Sequence, residues 1–491
     1  MNLAKLLGGL VNDSSVLDSA IEVKGIALDS RKIQAGFAFI AVAGAVEHGL
    51  VYAQQAMEKG ASIIIYEPRG SDAFALNELD CYQIAVKELG SKLGDIANRF
   101  YQSPSRSLDV IGITGTNGKT SCSQFLSQVM PESGVIGTLG WGEDGALKQT
   151  INTTPDALAV QEMLAEFVGQ NKKAVVMEVS SHGLQQGRVN EVSFKGAVFT
   201  NLSRDHLDYH GSMEQYLQAK LVLFKQPDLQ FVVVNTDDET SERFLATVDN
   251  KVKQWAFSAT GNTSQSAENV TAEDVDFSLQ GIEFFVCWRN KKVRVQTRIV
   301  GDFNLENILA VITVLLAQGY RLEDAANRVS KLVPVSGRME RFGGGGKPFV
   351  FVDYAHTPDA LEKVLLGLKK YRQKTLWLVF GCGGNRDKGK RAQMGVIAES
   401  LAEQVIITND NPRFEDAEQI VNDILTHCSG NNSEVILDRE KAIRTVIKKA
   451  GINDCIVIAG KGHEDYQDVK GIKHRFIDQD IVRQALLEWD A

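Results

Sequence analysis

Cysteine is scarce in this chain, which has six cysteines in 491 residues. They lie at positions 81, 122, 287, 382, 428 and 455, and no two of them form a C-x-x-C pair. Closely spaced cysteines are typical of structural zinc sites, and disulfide frameworks belong to oxidising compartments. The scattered positions argue against a structural zinc site and predict a reducing, cytoplasmic environment.

The chain also lacks long apolar runs and an excess of positive charge. No run approaches the roughly 20 apolar residues of a membrane-spanning helix, and residues 1–7 lack the apolar region and cleavage site of a signal peptide. Lys and Arg number 53 against 62 Asp and Glu, which gives a net charge of −9. We therefore expect no membrane span and no nucleic-acid partner, although a locally basic pocket for a small anion stays possible.

The length is too great for one hydrophobic core and predicts about three domains. Apolar, strand-like runs alternate with helical stretches, which indicates an α/β protein. A change in composition at residues 334–346 places the second boundary there. We predict an N-terminal α/β domain (1–88), a central P-loop domain with a mostly parallel sheet (89–335) and a doubly wound, Rossmann-like C-terminal domain (336–491).

Residues 109–121, Asp-Val-Ile-Gly-Ile-Thr-Gly-Thr-Asn-Gly-Lys-Thr-Ser, predict a strand, a glycine loop and a helix. Main-chain N–H groups and a helix N-terminus would face a phosphate, Lys119 would meet the terminal phosphates, and the Thr120 hydroxyl would meet Mg²⁺. The strict P-loop pattern has glycine where this chain has Ile113. A glycine-rich turn without nucleotide remains the alternative. We predict an ATP site formed by Gly115, Thr116, Asn117, Gly118, Lys119, Thr120 and Ser121.

Further polar residues follow predicted strands of the central domain. Because parallel strands present their carboxyl ends at one edge of a sheet, Glu178, Ser180, His182 and the loop at 201–211 are expected beside the phosphate loop. Glu178 and His206 are acceptable ligands for a hard cation near phosphates. A salt-bridged glutamate, a packed histidine or a plain polar loop are the alternatives, and spacing alone predicts Lys220 to be a helix lysine with a solvated head.

Four predicted strands of the C-terminal domain run into loops of functional type, at residues 353–356, 381–386, 409–413 and 460–464. The charged side chains Arg386, Asp410, Arg413 and Glu464 on these loops would suit a zwitterionic ligand, since guanidinium groups bind carboxylates and acids hold an ammonium. Ion pairs among these four residues are the alternative.

Together these residues resemble the Mur ligase family over essentially the whole chain. The matching stretches, in chain order, are 114–120 (TGTNGKT), 177–183 (MEVSSHG), 201–208 (NLSRDHLD), 301–307 (GDFNLEN), 353–356 (DYAH) and 460–464 (GKGHE). The resemblance is strongest to the members that add diaminopimelate. It implies a UDP-sugar-binding N-terminal domain, a central ATPase and a C-terminal domain that brings the incoming amino acid.

The resemblance also implies roles for individual residues around ATP. Lys220 occupies the position of a carbamylated lysine (N6-carboxylysine), and Thr120, Glu178, His206 and Lys220 match the residues around Mg²⁺. Asn304, Arg338 and Asp353 resemble residues that hold ATP from across the domain junction. Lys119, Glu178, His206 and Lys220 are thereby the implied catalytic residues.

The two other substrates have implied residues of their own. Leu28 and Ser30 match positions at the uridine end of UDP-N-acetylmuramoyl-L-Ala-D-Glu, and the muramoyl-dipeptide would be held by Asn152, Thr153, Thr154, Ser180, Gln186 and Arg188. The implied pocket for meso-diaminopimelate consists of Arg386, Asp410, Asn411, Pro412, Arg413, Gly460 and Glu464. A departure at residues 45–47, Ala-Val-Glu, puts contacts from those side chains to the sugar nucleotide in doubt.

The implied reaction is ATP-dependent amide formation. The γ-carboxylate of the D-glutamyl residue would attack the γ-phosphate of ATP, and the diaminopimelate amine would attack the resulting acyl phosphate, with His206 or His210 as a proton acceptor. We expect a monomer. The alternatives are a lysine-adding ligase of the same family, folylpolyglutamate synthase and a P-loop ATPase without ligase activity.

Overall fold

The structure is a computed structural model that describes residues 1–11, 21–44, 47–372 and 374–489. Within these residues the strands form sheets of four, eleven and six strands and a separate two-stranded hairpin. The three larger sheets follow one another along the chain, and helices pack on them. The predicted α/β class is confirmed.

The N-terminal sheet is parallel and has its strands in chain order. Its strands are β1 (Gly25–Ala27), β2 (Phe37–Ala41), β3 (Ala61–Tyr66) and β4 (Tyr82–Ala85), and the α-helices of this region are α1 (Leu3–Leu7), α2 (Ala53–Glu58) and α3 (Leu89–Phe100). The three strands expected from the sequence are confirmed, whereas β4 was missed. Helix α3 buries Leu93 and Ile96 in one cluster with Leu6 and also with Leu158, so the N-terminal core extends onto the central region.

The central sheet has a parallel middle and antiparallel edges, in the order β15-β14-β13-β12-β11-β10-β5-β9-β6-β7-β8. Its strands are β5 (Asp109–Thr114), β6 (Ser133–Gly137), β7 (Gly140–Glu143), β8 (Ala146–Lys148), β9 (Ala174–Glu178), β10 (Phe194–Phe199), β11 (Phe231–Asn235), β12 (Lys253–Ser258), β13 (Glu268–Ser278), β14 (Gly281–Trp288) and β15 (Lys291–Thr297). Alternate residues of β5 enter different cores, Val110 on one face and Ile111 on the other, because helices cover both faces. The predicted antiparallel segment near residue 293 is confirmed as β14–β15.

The helices of the central region connect these strands and cover the sheet. They are α4 (Lys119–Val129), α5 (Ala157–Gly169), α6 (Ser181–Gln185), α7 (Leu207–His210), α8 (Met213–Phe224), α9 (Ser241–Leu245), α10 (Phe303–Ala317) and α11 (Leu322–Val329). Helix α10 is apolar nearly all round and is buried from Leu305 to Leu316 apart from Glu306, as expected for a helix inside a large core.

The C-terminal sheet has the order β16-β17-β21-β18-β19-β20, and only β16 is antiparallel to its neighbour. Its strands are β16 (Glu340–Gly343), β17 (Phe349–Asp353), β18 (Leu376–Phe380), β19 (Gln404–Ile407), β20 (Ser433–Val435) and β21 (Cys455–Ala459), and β22 (Tyr466–Val469) pairs with β23 (Ile472–Arg475) as the hairpin. The helices are α12 (Pro358–Tyr371), α13 (Gly389–Leu401), α14 (Ala417–Leu425), α15 (Arg439–Lys449) and α16 (Asp478–Leu487). The four loops predicted to be functional follow β17, β21, β18 and β19, which are adjacent, so they lie together at one edge of the sheet, called the rim below. Their role in binding stays a prediction.

Among the described residues, no helix is both long enough and apolar enough to cross a membrane.

Candidate active site

The phosphate-type loop lies between β5 and α4, as the sequence predicted. Gly115 and Gly118 have positive φ angles of 150° and 85°. A Cβ on Gly115 would lie 1.9 Å from Thr200 Oγ1, and one on Gly118 would lie 2.5 Å from Asn307 Oδ1. Both positions therefore require glycine. The N–H groups of Thr116 and Asn117 donate to Asn201, at 2.8 and 2.9 Å, and the first turn of α4 follows the loop directly. The N–H groups at the start of such a helix are an arrangement that binds anions.

Two lysines beside this loop are held by main-chain carbonyl groups. Lys119 Nζ donates to the oxygens of Gly115 and Thr116 at 2.8 and 2.9 Å, and Lys220 Nζ donates to the oxygen of Gly115 at 2.9 Å. Lys220 is 1% exposed, with its ammonium 4.2 Å from the centre of the Tyr216 ring. The expectation of a solvated head from spacing alone is wrong. Burial, with the charge of Lys119 nearby, holds the pKa of Lys220 well below its usual value.

Glu178, at the end of β9, is the centre of a buried hydrogen-bond network. Its Oε2 accepts from the hydroxyls of Thr120 and Thr138, each at 3.0 Å, and its Oε1 accepts from the N–H of Thr138 at 3.0 Å. Thr138 Oγ1 in turn lies 3.0 Å from Thr153 Oγ1. A continuous chain of side chains thus links the phosphate loop to one of the residues predicted to hold the peptide substrate.

Of the four residues predicted for Mg²⁺, two are bonded to each other and the other two have different partners. Thr120 and Glu178 bond to each other, whereas His206 lies 3.3 Å from Asp205 and Lys220 lies under the loop. Among the described residues, no group of three or more His, Cys, Asp or Glu side chains is arranged to hold a metal ion. One hydroxyl and one carboxylate fit Mg²⁺, which usually binds through one or two carboxylates together with water and substrate phosphates.

Three histidines lie together beside the loop. The His182 ring centre is 4.8 Å from that of His206 and 5.3 Å from that of His210. Burial lowers the pKa of all three imidazoles, and for His206 the charges of Lys119 and Lys220 act in the same direction while Asp205 opposes them. His210 is 3% exposed, and its Nε2 lies 2.9 Å from Ser181 Oγ. His206 is the more accessible of the two histidines predicted to accept a proton.

Arg338 connects the central and C-terminal domains. Its Nη2 donates to Thr120 Oγ1 at 3.3 Å, and its guanidinium lies 4.5 Å from the Tyr354 ring centre. Asp353 accepts from the N–H groups of Met339 and Ala355 at 2.7 and 2.8 Å. The pKa of Asp353 is raised, because the effect of burial exceeds the opposite effect of the Arg338 charge. Asp353 therefore holds the segment that carries Arg338.

Asn304, the third residue predicted to bind ATP across the junction, is 2% exposed. Its amide nitrogen donates to the carbonyl of Val300 at 2.7 Å, and its amide oxygen accepts from Asn307 at 2.9 Å. In this arrangement Asn304 supports the start of α10. Of Asn304, Arg338 and Asp353, it is Arg338 that contacts Thr120 beside the phosphate loop.

A second contact between these domains was missed by the sequence analysis. Asp359 Oδ2, in the first turn of α12, accepts from Asn117 Nδ2 at 3.0 Å and from Ser203 Oγ at 3.4 Å. Near the other end of α12, Lys370 Nζ donates to Asp302 Oδ2 at 2.7 Å. Helix α12 is therefore fastened to the nucleotide loop at one end and to the start of α10 at the other.

The residues predicted for the muramoyl-dipeptide lie partly on the same network. Thr154 Oγ1 donates to the carbonyl of Glu178 at 2.9 Å and accepts from the N–H of Ser180 at 2.9 Å. Arg188 donates to the carbonyl of Thr154 at 2.8 Å and to Gln186 Oε1 at 2.9 Å. Asn152 is exposed close by in sequence.

The residues predicted for the uridine end lie in the N-terminal domain. Leu28 is half-buried, and Ser30 Oγ donates to Gln55 Oε1 at 2.6 Å. Of the departure noted at residues 45–47, positions 45 and 46 lie outside the described residues. Glu47 accepts from the Tyr52 hydroxyl at 2.6 Å.

The loops predicted to take diaminopimelate meet at the rim of the C-terminal sheet. Asn411 Nδ2 donates to Glu464 Oε2 at 2.7 Å, and Arg413, with a φ of 52°, donates through Nη1 to the carbonyl of Gly384 at 2.8 Å. A Cβ on Gly460 would lie 2.5 Å from Asp410 Oδ2. Pro412 is buried between Asn411 and Arg413, and Arg386 is exposed.

Arg386, Asp410, Arg413 and Glu464 form no ion pairs with one another among the described residues, so the alternative of mutual pairing is wrong. The nearest acid to Arg413 is Asp468, at 3.9 Å, and Glu464 pairs with Lys461 at 3.3 Å. The rim therefore presents charges of both signs that do not neutralise each other.

Buried ion pairs hold this rim from beneath. Arg439 and Asp478 are fully buried and bonded at 2.7 Å, and Arg439 also donates to the carbonyl of Ala459 at 3.0 Å, at the end of β21. Arg391 is fully buried and donates to Glu415 at 2.9 Å and to the carbonyl of Gly383 at 3.2 Å. Both arginines fix the strand ends from which the rim loops emerge.

Three residues with side-chain contacts around the site were not predicted from the sequence. Thr138 directly follows a buried parallel strand, Asp359 follows the quoted stretch 353–356 at a helix start, and Lys461 lies inside the quoted stretch 460–464. Position after a strand could have identified Thr138. The contacts of Asp359 cross a domain boundary, which no local pattern reports.

Comparison with known proteins matches each of the three regions. Residues 22–101 match the model for "Mur ligase family, catalytic domain", residues 113–315 that for "Mur ligase middle domain", and residues 337–462 that for "Mur ligase, glutamate ligase domain". The order of the three matches is that of the three larger sheets.

Curated relatives match nearly the whole chain. A UDP-N-acetylmuramoyl-L-alanyl-D-glutamate–2,6-diaminopimelate ligase of Pseudomonas aeruginosa is 44% identical over 473 residues, 95% of this chain and 96% of its own. One of Xanthomonas campestris pv. campestris is 44% identical over 493 residues, 99% of this chain and 98% of its own. A solved structure of a protein with the same name is 35% identical, covers 99% of both chains and has a TM-score of 0.70. The chain belongs to the Mur ligase family.

Proposed function

We propose that this enzyme joins meso-2,6-diaminopimelate to the D-glutamyl residue of UDP-N-acetylmuramoyl-L-Ala-D-Glu, with ATP converted to ADP and phosphate, in peptidoglycan precursor synthesis. The observation that carries the proposal is the contact of Arg338 with Thr120 at 3.3 Å and of Asp359 with Asn117 at 3.0 Å. Through these contacts a rim with charges of both signs faces a loop suited to phosphates. An amino acid and an activated phosphate could meet there.

In the first step an oxygen of the γ-carboxylate attacks the γ-phosphorus of ATP, and ADP leaves, which gives an acyl phosphate. Lys119 and the loop N–H groups would bind the transferring phosphate oxygens. Mg²⁺, held by Thr120 and Glu178, would supply positive charge to the phosphates. The hydrogen-bond chain through Thr138 to Thr153 would align the peptide carboxylate with the loop.

Lys220 is proposed to act as a carbamate. A neutral amine adds CO₂ and loses a proton, and its product is an anion. The low pKa of the buried Lys220 favours the neutral amine that this addition needs. An anionic side chain would also remove the conflict between an ammonium and a nearby metal ion, and His206 would complete this side of the site.

In the second step the amine nitrogen attacks the acyl carbon, and the tetrahedral intermediate expels phosphate. The amine must first lose a proton, and His206 or His210 is proposed to accept it, since their lowered pKa keeps the imidazoles neutral. Arg386 and Arg413 would bind the distal carboxylate of diaminopimelate, and Asp410 and Glu464 an ammonium. The contacts of α12 would keep water from the acyl phosphate.

Further assignments follow from the same proposal. Leu28 and Ser30 would contact the uridine end of the nucleotide, Asn304 and Asp353 the ATP side, and Asn152, Thr154, Ser180, Gln186 and Arg188 the muramoyl-dipeptide. All six cysteines are free thiols, which supports a cytoplasmic location. We propose that the enzyme acts as a monomer, with domain boundaries near residues 88 and 335.

The test measures phosphate release from ATP with the UDP-linked dipeptide and meso-diaminopimelate, L-lysine or no amino acid. We expect release and a tripeptide product only with diaminopimelate. A preference for lysine would overturn the role of Arg413, because lysine lacks the second carboxylate. Release that ignores the amino acid would indicate a P-loop ATPase, and glutamate addition to a folate would indicate folylpolyglutamate synthase.

A further inference from the structure

Lys461 is a buried lysine beneath the rim of the C-terminal sheet, and the proposed reaction gives it no role. Because this rim is proposed to bind the acceptor amino acid, we call it the acceptor rim. Lys461 follows Gly460 at the end of β21, and its side chain is fully buried. Lysine normally keeps its ammonium in water, and a buried charge is costly unless it is paired and hydrogen-bonded. The surroundings of Lys461 must therefore compensate its charge.

The ammonium of Lys461 closes a triangle with two rim residues. Its Nζ donates to Asn411 Oδ1 at 3.1 Å and lies 3.3 Å from Glu464 Oε2, and Asn411 Nδ2 donates to the same Glu464 oxygen at 2.7 Å. The N–H of Asp468 also donates to Asn411 Oδ1, at 2.9 Å. The ring centre of Tyr466 lies 5.6 Å from Nζ. Each corner of the triangle bonds to the other two.

These contacts fix the orientation of both neighbours. An ammonium has donors only, so Asn411 must turn its oxygen toward Lys461 and its nitrogen toward Glu464. Glu464 then receives both donors on Oε2, and in the described residues the hydrogen bonds and ion pairs of its carboxylate involve this oxygen alone. The side chain of Glu464 is 19% exposed. Its second oxygen, Oε1, forms no hydrogen bond or ion pair among the described residues.

We propose that Lys461 is a positioning residue that orients Glu464, through Asn411, to receive the ammonium group of the incoming amino acid. This proposal rests on the proposed function, since it needs an amino-acid acceptor at the rim. Asp410 lies against Gly460 on the same loop junction, and Arg413 supplies the opposite charge. A carboxylate of fixed orientation on the same rim as these charges suits the ammonium of a zwitterion.

The first test is Lys461→Met, which keeps the apolar stem and removes the ammonium. We expect the KM for diaminopimelate to rise roughly tenfold or more, the size expected when a charge-assisted hydrogen bond to a ligand is lost. The KM for ATP should change less than about twofold, since the partners of Lys461 in the described part of the chain, Asn411, Glu464 and Tyr466, all belong to the C-terminal domain. Lys473→Met is the matched control, because Lys473 lies over the same Tyr466 ring at 4.1 Å but is exposed, and it should leave every constant unchanged.

The second test asks whether Lys461 acts through Glu464. Glu464→Gln alone should raise the KM for diaminopimelate, and Lys461→Met added to it should raise the KM no further, because the residue that Lys461 orients has already lost its charge. This double variant also leaves no unpaired buried charge, so it remains informative if Lys461→Met alone fails to fold. The proposal would be overturned if the KM increase of the double variant equalled the product of the two single increases. It would also be overturned if a folded Lys461→Met variant had an unchanged KM for diaminopimelate.

The failure of the proposed function has a different signature. An unaltered enzyme without any diaminopimelate-dependent turnover would overturn both the function and the role of Lys461. An active unaltered enzyme with an equally active Lys461→Met variant would overturn the role of Lys461 alone.

Discussion

The nucleotide loop and the acceptor rim hold their cations in different ways. Lys119 and Lys220 bond to main-chain carbonyl groups, and neither they nor Arg338 form an ion pair among the described residues. Beneath the acceptor rim, the buried cations pair with carboxylates, as Arg439 does with Asp478 and Lys461 with Glu464. Carbonyl dipoles hold a cation without cancelling its charge, whereas carboxylates cancel it.

This difference matches the charges of the two proposed ligands. A loop that keeps its positive charge suits ATP, a polyanion, and a rim with balanced charge suits a zwitterionic amino acid. Variants on each side should therefore affect different substrates. The following predictions begin with the largest expected effect.

Lys220→Ala should have the largest effect on the nucleotide side. It removes the buried amine proposed to carry the carbamate, and we expect kcat to fall by about 10³-fold, as for groups that stabilise charge in a transition state. Short carboxylic acids should partly restore activity by replacing the lost anion. Lys225→Ala, an exposed lysine at the end of the same helix, is the control. Full activity of Lys220→Ala without added acid would contradict the proposal that Lys220 acts as a carbamate.

Arg413→Ala should affect the acceptor side alone. We expect the KM for diaminopimelate to rise about 10- to 100-fold, because a guanidinium–carboxylate contact is lost, while the KM for ATP stays unchanged. Arg413→Lys keeps the charge but not the two-pronged geometry, so it should recover only part of the affinity. Unchanged saturation by diaminopimelate in Arg413→Ala would contradict the comparison of the two sides.

Asp359→Ala should weaken the contact between the nucleotide loop and the C-terminal domain that carries the acceptor rim. Without the bond to Asn117, α12 loses one of its two attachments, and water gains access to the acyl phosphate. We expect the ratio of phosphate released to tripeptide formed to rise above one, with a roughly threefold lower kcat/KM, as for the loss of one hydrogen bond. Asp359→Asn keeps an acceptor for Asn117 and should stay closer to the unaltered enzyme. A ratio that remains at one in Asp359→Ala would show that this contact does not exclude water.

Glu306→Gln should change stability with pH rather than turnover. Burial and the charge of Asp237 raise the pKa of Glu306 to about 7, from an ordinary value of 4.5, and Asn235 donates to its Oε2 at 3.0 Å. Between these two values the folded state binds the extra proton, so rising pH lowers the free energy of unfolding. Above the folded pKa the loss is constant, roughly 3.5 kcal/mol, because the pKa difference of about 2.5 units corresponds to about 1.4 kcal/mol per unit.

The neutral glutamine should therefore unfold at a higher temperature than glutamate at pH 8, with little difference at pH 4. Thermal unfolding at both values measures this. Equal transition temperatures at pH 8 would contradict the raised pKa.

The sequence predicted best what hydrophobic runs and local turn chemistry determine. The strand at 455–459 is a continuous apolar run, and the strand at 109–114 carries Val110, Ile111 and Ile113. The loop after the strand at 109–114 needs glycine at positions 115 and 118. Strand β4 was missed because its residues 82–85 are mostly half-buried at the sheet edge and give only a short pattern. A strand that is buried on both faces of a sheet shows as an apolar run in the sequence. The pairing of a strand at the sheet edge leaves no such pattern.

The site was predictable where a residue follows a strand and unpredictable where its role depends on distant partners. Glu178 lies at a strand end, and its place beside Thr120 followed from parallel topology. The burial of Lys220 depends on Tyr216 and on the carbonyl of Gly115, which is 105 residues away in sequence. Likewise the triangle of Lys461, Asn411 and Glu464 brings together two loops that are separated in sequence by α14, β20, α15 and β21.

The central claim is that an acyl phosphate connects the two sides, and isotope transfer tests it most directly. The γ-carboxylate of the dipeptide substrate would be labelled with ¹⁸O, and the released phosphate analysed after reaction with ATP and meso-diaminopimelate. The account predicts one ¹⁸O atom in the phosphate for each tripeptide formed, since the attacking carboxylate oxygen leaves with the phosphorus. Tripeptide formed with unlabelled phosphate would contradict it.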